Sequence, residues 1–145
     1  MKLSELHQLG TSVWVDDLSR AKIFGQSSDA LPQRINQGAR GVTTNPSIFS
    51  AAISGSTDYA SDIAAMKSQS VDAIIEKLTT DDVRSACDLF AELYRESGGV
   101  DGRVSIEVDP RLAHHTADTI SQARHLWSII DRPNLMVKVP ATRAG

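Results

Sequence analysis

The sequence predicts an α/β fold built on parallel strands. Three observations carry that reading. Strand-like and helix-like segments alternate in the order β, α, β, several α, β, α, β, the pattern of strands joined by crossover helices. Polar and charged residues recur at one place, the end of each strand-like segment. The 145 residues, 41% hydrophobic and 23% charged, suffice for one globular domain with a core and argue against disorder.

Taken in order, Thr11-Ser12-Val13-Trp14-Val15-Asp16 is β-branched and aromatic and ends in acids, so it reads as a short strand. Ser28 to Gln37 reads as a helix, with Asp29 near its start and Gly38 as its stop. Gly41-Val42-Thr43-Thr44 is a second short strand. Asn45-Pro46 breaks it, and Pro46 suits the first position of a helix whose face carries Ile48, Phe49, Ala52 and Ile53. Two or three helices follow. Thr57 to Lys67 carries Ile63 and Met66, and Val71, Ile74, Ile75 and Leu78 form the next stripe. Thr80 is a candidate cap for another, with Val83, Ala86, Cys87, Phe90, Leu93 and Tyr94 on one face and Gly98-Gly99 as its end. Arg103 to Val108 is a third strand, closed by Asp109-Pro110. Thr116 to Ile130 is helical, with Ala117, Ile120, Ala123, Trp127 and Ile130 on one face, and Pro133-Asn134 leads into a last strand around Lys138. No linker, low-complexity tract or short-period repeat interrupts residues 1–145, which read as a single domain without an internal boundary.

Several function classes are excluded by composition. A net charge of -3 with no run of Lys or Arg gives no footprint for nucleic acid or for a membrane surface. Met1 to Gly10 lacks the apolar stretch of a secretory signal, and no segment approaches a membrane span. Cys87 is the single cysteine, so no internal disulfide forms, in keeping with a reducing cytoplasm. Its apolar helical setting reads as a small buried hydrophobe. His114, His115 and His125 match no zinc spacing, and Gly98, Gly99 and Gly102 make no phosphate loop, so no metal site is expected.

The chemistry gathers at the strand ends. In a parallel α/β fold these ends share one face, and in closed barrels that face carries the active site. Asp16, Thr43-Thr44-Asn45, Glu107 and Lys138 therefore offer an acid, hydroxyls with an amide, a second acid and an amine to one pocket. A lysine inside the apolar run Leu135-Met136-Val137-Lys138-Val139 is costly to bury. A free lysine titrates near 10.4, so on the order of one amine in a thousand is neutral at pH 7. Low dielectric raises that share, and a neutral lysine can attack a carbonyl and form a Schiff base. The alternatives for Lys138 are an ion pair with Glu107 or an amine that snorkels to solvent. Glu107 shares a strand face with Ser105, opposite Ile106 and Val108, and suits either acid–base work or a structural ion pair. Asp16 lies on the side of Trp14 and its neighbour Asp17 on the other; either is a candidate base, a helix cap or a solvated charge. Thr44 or Asn45 is placed to cap the following helix, and Asn45 is equally placed to hydrogen-bond a substrate hydroxyl.

These residues resemble a known family. Gly41-Val42-Thr43-Thr44-Asn45-Pro46-Ser47-Ile48-Phe49 looks like one signature of the transaldolases. Leu135-Met136-Val137-Lys138-Val139-Pro140-Ala141-Thr142-Arg143-Ala144-Gly145 looks like the signature around their Schiff-base lysine. Ser105-Ile106-Glu107-Val108 and Val13-Trp14-Val15-Asp16-Asp17-Leu18-Ser19 are similar to the strands that precede and separate these signatures, so the resemblance spans the chain in order. It is greatest to the N-terminal part of the long actinobacterial type. The resemblance implies a (β/α)8 TIM barrel of which about four parallel strands, with extra helices, form the first half. It implies a transferase of the class I aldolase superfamily, without metal or organic cofactor, moving a dihydroxyacetone unit between sugar phosphates in the cytoplasmic pentose phosphate pathway. Lys138 would form the Schiff base. Asp16, favoured over Asp17, would take the C4 hydroxyl proton. Glu107 would act through a water, and Asn45 with Thr43 nearby would hold substrate hydroxyls. Two alternatives stand beside this: a plain sugar aldolase of the same superfamily, and an interaction-only polypeptide. A homo-oligomer is left open. A barrel of this type needs about 250 residues, so the 145 residues are expected to be a fragment.

Overall fold

Four strands form where β-branched and apolar residues cluster: β1 (Trp14–Val15), β2 (Gly41–Val42), β3 (Arg103–Glu107) and β4 (Leu135–Lys138). The computed structural model describes residues 3–145; of the N-terminal stretch Met1 to Gly10, the first two residues lie outside it. All strand pairs are parallel and follow chain order, β1-β2-β3-β4. Every connection therefore crosses over through helix, as the alternation predicts.

The helices are α1 (Leu3–Gln8), α2 (Arg20–Phe24), α3 (Leu31–Asn36), α4 (Pro46–Gly55), α5 (Ala60–Ala65), α6 (Val71–Glu96) and α7 (Thr116–Ile130). The core lies between one face of the sheet and this helical layer. Val42, Val104, Ile106 and Leu135 meet Phe49 of α4, Val83, Cys87 and Phe90 of α6, and Leu126 and Ile130 of α7, all of them buried. The register Val42↔Val104↔Leu135 makes the sheet's contribution one continuous apolar row.

The structure corrects several element boundaries. Only two residues each of the first two strands pair, fewer than the β-branched runs predict. The helix expected from Ser28 begins at Leu31, because Asp29 ion-pairs with Arg34 and Lys22 and does not cap it. The segment from Thr57 splits into a 3-10 turn at Thr57–Tyr59 and α5. The separate helices expected on either side of Thr80 are one helix of 26 residues. No Gly or Pro interrupts it, and the Thr80 hydroxyl, 3% exposed, donates back to the Glu76 carbonyl (2.7 Å) in place of capping a new helix. The stripe of α7 is also rotated. Thr119, Ala123, Leu126 and Ile130 face inward, whereas Ile120 and Trp127 remain 46% and 49% exposed. α1 and α2 are too short for periodicity to signal; α2 is set by Ser19, whose hydroxyl accepts the Lys22 N–H (3.3 Å).

Candidate active site

Strand alternation sends Val15, Val42, Val104, Ile106 and Val137 toward the core, so their neighbours Asp16, Thr43, Ser105, Glu107 and Lys138 occupy the opposite face. Continuing the Val15↔Val42 pairing by one residue sets Asp16 beside Thr43 and Ser105, and β3 and β4 end on the pair Glu107↔Lys138. The polar row thus follows from the same register that builds the core.

Three of the expected residues meet directly. The Lys138 Nζ lies 3.6 Å from Glu107 Oε2 and donates to Thr43 Oγ1 at 3.2 Å. Its side chain is 38% exposed. Ser105, which sequence reading placed only as a neighbour of Glu107, belongs to the cluster. Its hydroxyl donates to Thr43 Oγ1 (2.9 Å) and accepts the Thr44 N–H (3.4 Å). With two donors on its oxygen, the Thr43 hydroxyl keeps its own proton to offer a ligand. Thr44 is fully buried and donates its hydroxyl to the Ser105 carbonyl (2.7 Å), which fastens the end of β2 to β3. The signal for Ser105 was its strand alternation with Glu107.

Asn45 takes the helix-cap role of the two expected for it. Its side-chain oxygen caps α4 by accepting the Ile48 N–H (2.9 Å), and among the described residues its amide N–H2 group has no hydrogen-bond partner. The cap fixes which way that donor points. The tandem acids are separated by Lys22, whose ammonium sits 3.3 Å from Asp17 and also pairs with Asp29. Asp16 is exposed and, among the described residues, makes no ion pair or hydrogen bond. Beside Glu107 a groove of about 650 Å³ opens between α4, α6 and α7. Asn45 and Glu107 line it, together with the apolar Phe49, Ile53 and Ile75.

The other candidates stay apart. Cys87 is fully buried, and burial pushes its thiol up to about 12. His114 and His115 precede α7, and His125 on α7 contacts Glu76 (3.0 Å); all three are exposed. Among the described residues no group of three His, Cys, Asp or Glu side chains is arranged to hold a metal, and no helix is long and apolar enough to cross a membrane.

A parallel sheet in chain order, with its polar cluster at the carboxyl ends of the strands, defines an α/β protein of the barrel type. The sequence model of the Transaldolase/Fructose-6-phosphate aldolase family matches residues 13–145, and the chain belongs to that family. Its four strands are therefore part of the TIM-barrel fold of these aldolases. The chain is 55% identical over 146 residues to the transaldolase of Mycobacterium ulcerans, 56% to that of Mycolicibacterium smegmatis and 54% to that of Mycobacterium tuberculosis. Each alignment covers 99% of this chain and 38% of the relative, so the chain spans well under half the length of the proteins it matches.

Proposed function

We propose that the chain carries the Schiff-base half of a transaldolase barrel, with residues 1–145 supplying the first four strands. The observation that carries this reading is the placement of the Lys138 amine, 3.6 Å from Glu107 and 3.2 Å from the Thr43 hydroxyl at adjoining strand ends. In this reading the ammonium yields its proton, and the free amine adds to the carbonyl of a ketose phosphate such as sedoheptulose 7-phosphate or fructose 6-phosphate. Water leaves to give the protonated imine, with Glu107 moving protons through a water. Asp16 takes the proton of the C4 hydroxyl, and the C3–C4 bond breaks. The bond's electron pair flows into the imine to form an enamine, and an aldose phosphate departs. The enamine then attacks the aldehyde of glyceraldehyde 3-phosphate or erythrose 4-phosphate, and hydrolysis of the new imine frees the lysine. Thr43 and the amide group of Asn45 hold hydroxyls of the dihydroxyacetone unit. Substrates of this kind place the protein in the pentose phosphate pathway of the cytoplasm.

The test is borohydride reduction of the full-length protein with fructose 6-phosphate. A stable adduct is expected on Lys138 and is expected to vanish in Lys138→Arg; equal trapping of that variant would remove Lys138 from the role. A second reading, plain cleavage of fructose 6-phosphate, is favoured by the family description, which covers both activities. Product formation that requires erythrose 4-phosphate supports transfer, and release of free dihydroxyacetone without it supports cleavage.

A further inference from the structure

Outside the strand-end cluster, the densest polar assembly joins three stretches distant in sequence: Arg20, residues Asp58 to Asp62, and Asp82. Tyr59 is fully buried and Asp82 is 2% exposed. The Tyr59 hydroxyl donates to Asp82 Oδ2 (2.8 Å) and accepts the backbone N–H of Arg20 (3.2 Å). The Arg20 guanidinium reaches Asp82 through Nε (3.3 Å), the Asp58 carbonyl (2.8 Å) and the Asp62 carboxylate (2.6 Å), and it lies 4.5 Å from the centre of the Tyr59 ring. Burial pushes the Asp82 carboxyl up, and the hydrogen bonds from Tyr59 and Arg20 oppose it.

Its location gives this assembly its meaning. Arg20 is the first residue of α2 and follows the connection Asp16–Ser19 directly. That connection is anchored at its far end by Leu18, fully buried, and by the Ser19 cap. The partners of Arg20 belong to the excursion that returns from β2 through α4 and α5 to α6. Thr43 and Asn45 follow the end of β2. The cluster therefore ties the start of α2, just after the acid that follows β1, to the excursion that follows the hydroxyl and amide after β2. A buried pair such as Tyr59 and Asp82, with both hydrogen-bonded, specifies one geometry. A base has to sit within about 2.6–3.2 Å of its proton, and a displacement of about 1 Å can cost roughly a hundredfold in rate.

We infer that Arg20, Tyr59 and Asp82 are positioning residues for Asp16, tuning carbon–carbon bond cleavage while leaving imine formation at Lys138 untouched. This rests on the transaldolase-type reading above. The experiment compares two reactions of the full-length parent, Tyr59→Phe and Arg20→Lys. One is borohydride trapping with dihydroxyacetone, which needs the amine and no bond cleavage. The other is turnover of fructose 6-phosphate with erythrose 4-phosphate, which needs Asp16. Turnover is expected to fall roughly ten- to hundredfold in both variants, with trapping within about twofold of the parent. A parallel fall in both reactions would assign the cluster a merely structural part and overturn the proposal. So would unchanged turnover in either variant. A parent that neither traps nor turns over would instead overturn the underlying functional reading, before any variant is compared.

Discussion

Gly102→Ala is expected to be among the most destabilising single-methyl additions in this chain. Gly102 sits in the turn between α6 and β3 at φ +74, its N–H donates to the Arg40 carbonyl (2.7 Å), and its carbonyl accepts from the buried Asn134 amide (2.9 Å). A Cβ there would meet the Tyr94 N, stand 2.7 Å from the Phe90 carbonyl oxygen and 2.8 Å from the Tyr94 Cα. All of these are backbone atoms of α6, so no side chain can rotate away. The left-handed backbone costs an L-residue about 1–2 kcal/mol, and overpacking adds about 1–3 kcal/mol. With a rigid helix as the obstacle, a total of about 3–5 kcal/mol is expected. Gly98→Ala is the matched control. Gly98 has φ +63 with nothing within 4 Å of the added methyl, so only the backbone cost remains. The stiffer unfolded chain offsets part of it, leaving about 1 kcal/mol. The difference, at least about 2 kcal/mol, is roughly 30-fold or more in the folding constant. Urea denaturation of the full-length protein, followed by far-ultraviolet circular dichroism, reads both midpoints. Equal midpoints for the two variants would refute the close approach of the Gly102 turn to α6.

Two further outcomes follow from the site and the core. Asp16→Asn is expected to lower turnover by about a hundredfold or more. Asp17→Asn loses only an exposed pair with Lys22, worth under about 1 kcal/mol, and keeps its turnover; a reversed ranking in steady-state kinetics would transfer the base role to Asp17. Cys87, fully buried with its thiol pushed up to about 12, is expected to resist a thiol reagent at pH 8 until urea unfolds the protein. Rapid labelling in native buffer would contradict its burial between α6 and the sheet.

The candidate site is more legible in sequence than the packing around it, and the reason is energetic. A lysine in an apolar strand, or a glutamate alternating with Ile106 and Val108, is expensive unless partnered, so it stands out against its neighbours. Lys138 and Glu107 do find each other, and the amine also finds Thr43. What sequence could not resolve there was a difference between equals. Asp16 and Asp17 differ in the partner Lys22, which belongs to α2 and is brought to Asp17 by the fold. Helix packing has no comparable marker. In α7, Ile120 and Trp127 are as apolar as Leu126, and the expected face shares Ala123 and Ile130 with the one that is buried. Periodicity therefore finds the helix and part of its face. Thr80 misleads in the same way, since a threonine caps one helix and hides inside another by bonding back to the preceding turn. The register resolves both kinds of ambiguity at once. Because Val42, Val104 and Leu135 are bound to the helical layer, Thr43, Ser105 and Lys138 are held on the other face, and a slip of one residue would bury the amine and expose the core row. The apolar residues flanking Lys138 are thus part of how its amine is presented.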